Sequence, residues 1–384
     1  MRLRVRNHTL DSRSYRCARV RSMFNSPSGA TFELDAELPL EQLASWRLGL
    51  IVGPSGSGKS SLGRLVFGRA RHRFYEPGGQ RWPRDVAIVD AIAPDGAFDD
   101  VTAALAAVGL GTVPSWLRPY HVLSTGERFR ADLARIVSEA PPRIVIDEFT
   151  SVVDRQIAKV GALAFAKAWR RTGGQAVLLS CHYDIVEWVQ PDWVYDTATG
   201  EFRGREGLQP RPPINLEITR TGWEHWPLFE PHHYLKLPRM PASCCYLGTV
   251  DGQPVAHVAV SSRPSGRGRL EARACRLVIM PEWQGAGVGM RFLNHVCELQ
   301  RRGRPGARLE GRPVTTLFHT SHPGLVAALR RDCRWRQVSA VLHGGSKRRS
   351  AATLRRSGSA ITSGYGGHFR AVQGFRYVGE GPRR

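Results

Sequence analysis

The chain holds 384 residues, 42% of them hydrophobic, and its 55 basic residues outnumber 33 acidic ones for a formal net charge of +22. That apolar content can build real cores, which excludes a chain disordered throughout, and at roughly 150 residues per domain the length suggests two or three domains. No run approaches the ~18–20 apolar residues that cross a bilayer, and the basic start Met1 to Arg6 lacks the apolar stretch of a secretory signal, so no membrane domain and a cytoplasmic location are expected.

Leu48-Gly49-Leu50-Ile51-Val52 predicts a short buried strand. It runs into Gly53-Pro54-Ser55-Gly56-Ser57-Gly58-Lys59-Ser60-Ser61, a complete phosphate-binding loop. Glycines permit the tight turn that aims backbone N–H groups at phosphate oxygens. Lys59 is placed for the β- and γ-phosphates and Ser60 for Mg²⁺. Leu62, Leu65, Val66 and Phe67 then start a helix whose N-terminus faces the phosphates. Further on, Arg143-Ile144-Val145-Ile146-Asp147-Glu148 predicts a second buried strand ending in two carboxylates. Asp147 suits the Mg²⁺ shell, and Glu148 suits polarising a water for attack on the γ-phosphate. ATP and Mg²⁺ are the expected ligands.

Between these elements lies Leu123-Ser124-Thr125-Gly126-Glu127, followed by Arg128 to Arg135. It resembles the signature loop and helix of ATP-binding cassette ATPases. Ser151-Val152-Val153-Asp154 resembles the loop that crosses between paired cassettes, and Leu179-Ser180-Cys181-His182 resembles the switch strand. Thr125 stands where the family has the first of two glycines, and Glu127 where it has glutamine. The resemblance covers residues 48–196 and implies an α/β P-loop domain over 1–199. It also implies a head-to-tail homodimer, with each ATP between Lys59 of one subunit and Ser124 and Gly126 of the other. Asp154 joins that nucleotide site, and His182 contacts the γ-phosphate. Lys59 and Leu123 lie only 64 positions apart, which implies a reduced helical subdomain. Asp90, after the strand-like Val86-Ala87-Ile88-Val89, is a candidate for the metal through a water, with Gln80 as its rival. Adenine stacking is assigned near Tyr15 or Phe24.

Six Gly and Pro residues between Gly200 and Pro213 predict a linker. Residues 1–200 carry a net +4, whereas residues 201–384 carry 30 Lys/Arg against 12 Asp/Glu, a net +18. Such a local excess points to a polyanionic partner, DNA or RNA; a generally basic surface in an arginine-rich chain is the plainer alternative. Only five of the basic residues are lysine. The seven cysteines form no C-x-x-C pair and suit a reducing compartment. Trp223, Trp226, Phe229, His232, His233 and Tyr234 form a dense aromatic and imidazole segment.

A hairpin is expected over 242–260, turning at Asp251-Gly252, and then a strand over Ala274 to Met280. Gln284-Gly285-Ala286-Gly287-Val288-Gly289 follows and opens a helix with Phe292, Leu293, Val296 and Leu299. Backbone N–H groups at such a helix start suit a diphosphate. Strands are expected at 313–318, 335–342 and 369–378, a helix at 322–330, and a basic insertion near 344–361 containing Lys347, Arg348 and Arg349. Arg263, Arg267, Arg269, Arg301, Arg302 and Arg304 add to the candidate polyanion surface.

This order resembles the GNAT superfamily of N-acyltransferases, and the whole chain resembles cassette ATPases fused to such a domain. The resemblance implies a GNAT-like mixed α+β domain over 214–384 that binds acetyl-CoA or another acyl-CoA through Leu277, Val278, Ile279 and Gln284 to Gly289. No motif fixes the base; Glu271 is the first candidate, and His232, His233, Tyr234, His319, Ser321 and His322 are acceptor-side candidates. The expected function is an ATP-hydrolysing, acyl-CoA-dependent N-acyltransferase of DNA or RNA. The alternatives are a nucleic-acid-associated cassette ATPase with a non-catalytic GNAT-like binding module, and an acetyltransferase of a protein or small amine.

Overall fold

The computed structural model describes residues 1–10, 12–25, 29–43, 45–68, 70–234, 243–264, 270–341 and 371–379. The chain divides into two compact units: Met1–Trp82 with Glu139–Pro212, and Pro83–Ser138 with Pro213–Arg384. In chain order, the first stretch carries β1 (Arg2–Thr9), α1 (Tyr15–Phe24), β2 (Ala30–Glu37), β3 (Leu48–Val52), α2 (Lys59–Leu65) and β4 (Arg73–Tyr75). Four helices follow: α3 (Ile88–Ala91), α4 (Phe98–Ala107), α5 (Val113–Trp116) and α6 (Thr125–Glu139). Then come β5 (Arg143–Ile146), α7 (Arg155–Trp169), β6 (Gln175–Ser180), α8 (Ile185–Val189), β7 (Trp193–Asp196) and β8 (Phe202–Gly204). The last stretch holds β9 (Glu217–Thr221), α9 (Trp226–Phe229), β10 (Ser243–Val250), β11 (Gln253–Pro264), β12 (Leu270–Ile279), α10 (Val288–Arg302), β13 (Thr316–Thr320), α11 (Pro323–Arg331), β14 (Trp335–Val341) and β15 (Val372–Tyr377).

In the first unit the strand order is β4-β5-β6-β3-β7-β8, parallel except for β8. Every residue of β3 is buried, as a strand covered on both faces requires. Ile51, Leu62, Val145, Val177, Leu179 and Trp193 form the core there. A separate antiparallel ribbon, β1 with β2, lays Val5, Ala36 and Phe32 on that core. Its outer face pairs Arg2 with Glu37, Arg4 with Asp35 and Arg6 with Glu33, all exposed. Such exposed pairs set register more than they add stability.

In the second unit the strand order is β14-β15-β13-β12-β11-β10-β9. Among the described strands, β12 and β13 are parallel, over Ala272–Ala274 and Thr316–Phe318, and the other neighbours are antiparallel. Val288, Phe292, Leu293 and Val296 of α10, with Val326 and Leu329 of α11, share one core with this sheet. Trp226 and Phe229 pack with Leu247 and Val278 in a second cluster. Helix α4 lies against α11 so closely that a Cβ on Gly324 would stand 2.3 Å from the Ala106 methyl.

Several sequence expectations need correction. Residues 202–204 of the expected linker form β8, and Arg205 N–H closes onto the Asp192 carbonyl at 3.0 Å. Ile88–Ala91 is a helical turn, not a strand: Ala91 N–H bonds the Ala87 carbonyl and Ile92 N–H the Ile88 carbonyl, both at 3.0 Å. The strand expected at 313–318 lies at Thr316–Thr320. Among the compact units, the helices of residues 83–138 group with the 213–384 stretch. The basic insertion with Lys347, Arg348 and Arg349, and the loop arginines Arg267 and Arg269, lie outside the described residues.

Gly49 gives a test of the parallel core. A Cβ there would fall 2.0 Å from the Trp193 indole, which is fully buried. Gly49→Ala is expected to lower stability by about 2 kcal/mol or more through overpacking. Adding Trp193→Leu should recover part of that loss, and urea unfolding of the two variants measures it.

Candidate active site

The parallel register brings three strand ends together. Val52 of β3 stands opposite Ser180 of β6, and Ile146 of β5 stands opposite Leu178 of β6. The phosphate loop, the Asp147-Glu148 pair and Cys181-His182 therefore leave the same sheet edge, where ligands of open α/β sheets bind.

Gly53, Gly56 and Gly58 adopt φ of 147°, 79° and 85°, values that side-chain-bearing residues rarely adopt. A Cβ on Gly53 would stand 2.0 Å from Thr197 Oγ1, which also meets Ser57 Oγ at 2.6 Å. A Cβ on Gly58 would strike the Phe32 ring at 2.6 Å. Lys59 is 8% exposed, and its Nζ donates to the Gly53 and Pro54 carbonyls at 2.9 and 2.7 Å. An ammonium has three donors, so one remains for a phosphate oxygen. Pro54, Ser55 and Gly56 form the exposed rim, and Ser60 enters α2 at its first turn. Ser61 accepts from Asn7 Nδ2 at 2.9 Å, tying β1 to the loop helix. This cradle fits a triphosphate.

Asp147 is buried, and its Oδ1 accepts the Glu148 N–H at 2.9 Å. Glu148 and Thr150 both take left-handed backbone, at φ 48° and 71°. For a β-branched threonine that is a strained conformation, of the kind that collects at functional sites. Phe149 N–H is held by the Leu179 carbonyl at 2.8 Å, its ring packs on Phe165, and Glu148 projects into solvent. His182 follows β6, with its N–H on Ser180 Oγ at 3.1 Å. The Asp154 carboxylate caps α7, accepting from Gln156 and Ile157 N–H at 3.0 Å each. Tyr15 and Phe24, assigned to adenine, lie on a helix with no buried residue and are 75% and 73% exposed.

The signature residues lie in the second unit. Ser124 N–H and Oγ both meet Glu127 Oε2, at 2.9 and 3.0 Å, and Ser124 Oγ accepts from Glu127 N–H at 3.3 Å. This is a reciprocal capping box, with Gly126 in the first turn. Ser115 Oγ donates to the other Glu127 oxygen. Burial opposes ionisation of Glu127, but these bonds outweigh it and hold the carboxyl below its ordinary range. The glutamate at the family's glutamine position thus works as an anionic cap. Asp90 sits in the first turn of α3.

On β12, Arg276 takes φ 56° opposite a register shift between His257 and Ala259, which makes a bulge before the glycine loop. Leu277 and Ile279 pack on the α10 side, and Val278 is buried in the opposite cluster. Gly285 and Gly287 take φ 91° and 87°, and Gly287 caps α10. Val288 is fully buried, Ala286 is partly so, and Gly289 lets α10 approach Ile279.

The acceptor-side candidates are dispersed. Glu271 is ion-paired with Arg376 at 3.0 Å, which ties its carboxylate to β15. His233 is buried edge-on to Trp226 and stacks with Tyr234, while His232 ends a separate turn. His319 faces Gly374 on β15, and Ser321 Oγ donates to the Ala371 carbonyl. His322 caps α11 through Nδ1, which fixes it as a structural imidazole. Arg301 and Arg302 share the single carboxylate of Glu298 and stay 36% and 48% exposed, so the group keeps a net positive charge. His257 was not foreseen: it is fully buried, with its ring 5.3–5.8 Å from those of Trp226, Phe229 and Trp223. The only trace in the sequence is a polar residue inside the apolar run of 255–260.

A glycine loop between a buried parallel strand and a helix, with a carboxylate pair at the end of another parallel strand one place removed, defines a P-loop nucleoside triphosphatase. Two cytochrome c biogenesis ATP-binding export proteins are similar to this chain. That of Rhodospirillum rubrum is 33% identical over 166 residues, covering 35% of this chain and 68% of the relative. That of Sphingopyxis alaskensis is 32% identical over 151 residues, covering 35% and 74%. A solved dimeric ATP-binding cassette bound to ADP and phosphate aligns over 47% of this chain and 94% of its own, with 14% identity and a TM-score of 0.36. No protein-family model matches. The chain belongs to the ATP-binding cassette ATPases, and it binds and hydrolyses ATP. No helix among the described residues is long and apolar enough to cross a membrane.

His257 predicts a pH dependence. Burial lowers its pKa to about 4, against about 6.5 in an unfolded chain. Between these values the unfolded chain binds more protons, so stability is complete above pH 6.5 and falls as the pH drops toward 4. The loss at pH 4.5 should be roughly 2–3 kcal/mol, at ~1.4 kcal/mol per unit. Urea unfolding at pH 7.5 and 4.5 should show a smaller drop by about that amount in His257→Leu.

Proposed function

We propose that the cassette ATPase, residues 1–199, governs a GNAT-like N-acyltransferase, residues 214–384, that acts on DNA or RNA in the cytoplasm. ATP turnover follows from the strand-end constellation. Mg²⁺ would be held by Ser60 and Asp147, with Asp90 as a candidate through a water, and would neutralise phosphate charge. Lys59 orients the phosphates, Glu148 takes the proton of the attacking water, and His182 steadies the γ-phosphate. In a head-to-tail homodimer, Ser124 and Gly126 of one subunit complete the site of the other.

The observation that carries the acyltransferase reading is the second unit's sheet. Its single described parallel pair, β12 with β13, stands at the centre, with a bulge on β12 and a glycine turn leading into α10. Free N–H groups from Gly285 to Gly289 suit the diphosphate of an acyl-CoA. An acceptor amine would attack the thioester carbonyl, lose its proton and release the CoA thiol. With Glu271 paired to Arg376, His232 and His319 remain to receive that proton. The same pairing favours the second reading, a module that binds without acyl transfer. The +18 charge of residues 201–384 supports a polynucleotide partner.

Glu148→Gln is expected to retain ATP binding and slow hydrolysis on the order of 10²–10⁴-fold, the usual worth of a general base. Light scattering of that variant with Mg-ATP should show a dimer; a strict monomer with ATP bound argues against the head-to-tail site. Lys59→Ala should weaken ATP binding itself, on the order of 10–100-fold for a lost charged hydrogen bond.

Filter binding to duplex DNA should give a log–log salt slope near −0.9 per phosphate contact, or about −0.7 for a single strand. Mass analysis of nucleosides from cells with and without the protein should reveal an acylated base. Polymer binding without any acyl mark would select the binding-module reading, and no binding at low salt would remove the nucleic-acid partner.

A further inference from the structure

We infer that the helices of residues 83–138 serve as a positioning device for the Pro281–Gly289 loop. Arg130 and the Gly109–Gly111 turn act as the clasp, so that ATP engaged at Ser124 and Gly126 tightens acyl-CoA binding at that loop. The inference rests on the acyl-CoA and head-to-tail readings given above.

Arg130 lies one helical turn beyond Gly126 on α6 and is 4% exposed. Its Nη1 donates both to the Gly109 carbonyl, at 2.8 Å, and to the Pro281 carbonyl. Gly109 must be glycine: φ is +85°, and a Cβ would stand 2.1 Å from the Gln284 carbonyl oxygen. Two residues on, Gly111 N–H donates to Gln284 Oε1 at 2.9 Å, while Gln284 Nε2 donates to the Ile279 carbonyl at 3.0 Å. The Gln284 amide thus joins the helical segment, the end of β12 and the loop.

The other side of the turn is held as firmly. Gly111 O lies 3.0 Å from His322 Nε2, and His322 Nδ1 accepts the Leu325 N–H at 3.3 Å. One donor and one acceptor require the neutral ring, and burial keeps the pKa of His322 low. Trp116 packs edge-on to that imidazole at 5.3 Å and donates to the Leu110 carbonyl at 2.7 Å. Ser115, beside Trp116, donates to Glu127, which binds Ser124. Two short routes therefore lead from the signature residues to the loop: along α6 through Arg130, and through Glu127, Ser115 and the Gly111 turn.

The clasp grips carbonyls and the Gln284 side chain, and none of its bonds uses an N–H of Gly285 to Gly289. A Cβ at Gly287 would meet nothing within 4 Å. The contacts therefore shape the loop without filling the place of an anion, which makes them pre-organising rather than blocking.

The test uses the full chain carrying Glu148→Gln, with and without Mg-ATP. It combines amide hydrogen exchange of the peptide spanning 281–289 with calorimetric titration of acetyl-CoA. Mg-ATP is expected to slow exchange of that peptide and to tighten acetyl-CoA about 5–20-fold, within the usual range of coupling between sites. Arg130→Gln should abolish both responses, Arg130→Lys, which keeps a donor, should retain part of them, and Ser115→Ala should weaken them through the other route. Slowed exchange without any acetyl-CoA heat would uphold the coupling and remove the acyl-CoA reading. Unchanged exchange with ATP bound, together with acetyl-CoA affinity that ignores nucleotide, would overturn the coupling and leave the acyl-CoA reading standing.

Discussion

The need to present several backbone N–H groups to one phosphate chain governs the first unit. Only a turn built on left-handed glycines can do this, and it needs a strand and a helix to hold its ends. The parallel order β5-β6-β3 supplies the strand and also sets Asp147-Glu148 and Cys181-His182 at the same edge. Burial of β3 on both faces leaves that strand little freedom to move, so the loop inherits a fixed origin. Phe32 and Thr197 occupy the space that Cβ atoms on Gly58 and Gly53 would need. The ribbon β1–β2 and the residue after β7 thus enforce the glycines as much as the nucleotide does.

What could be read from the sequence was what is local. Gly53 to Ser60 carries its chemistry within eight consecutive positions, and the hairpin at Asp251-Gly252 is set by its own turn. Ile88–Ala91 shows the limit: four apolar-rich residues suit a strand or a helical turn equally, and the bonds from Ala91 and Ile92 back to Ala87 and Ile88 decide. The β1–β2 ribbon did leave a signal, since Arg-Leu-Arg-Val-Arg alternates against Phe-Glu-Leu-Asp-Ala-Glu with opposite charges in register. Contacts such as Arg130 with Pro281 leave none, because their partners stand 151 positions apart and no motif links the two.

The departures from the family pattern have a physical sense. Glutamate at position 127 makes the signature helix start with a charged cap, which complements the helix dipole better than an amide would. Arg130 lies buried in that helix and donates to two main-chain carbonyls. That pair of bonds depends on the approach of both carbonyls and so favours one geometry over its neighbours. Glu271, by contrast, pairs its carboxylate with the Arg376 guanidinium and so joins β12 to β15.

The interleaving of the two units bears on how the chain is made. Gly111 and its partner His322 are separated by 211 residues, so the helical segment leaves the ribosome long before the surface that receives it exists. At 5–20 residues per second the wait is roughly 10–40 s. Through that interval the face of α4 around Ala106 has no α11 to meet. Cutting the gene between the two sequence domains would make the wait permanent, since a fragment of residues 1–199 carries α4 and α6 without their partners. The chain is thus poorly suited to being divided into separately produced halves, and chaperone demand should concentrate on the first half during synthesis.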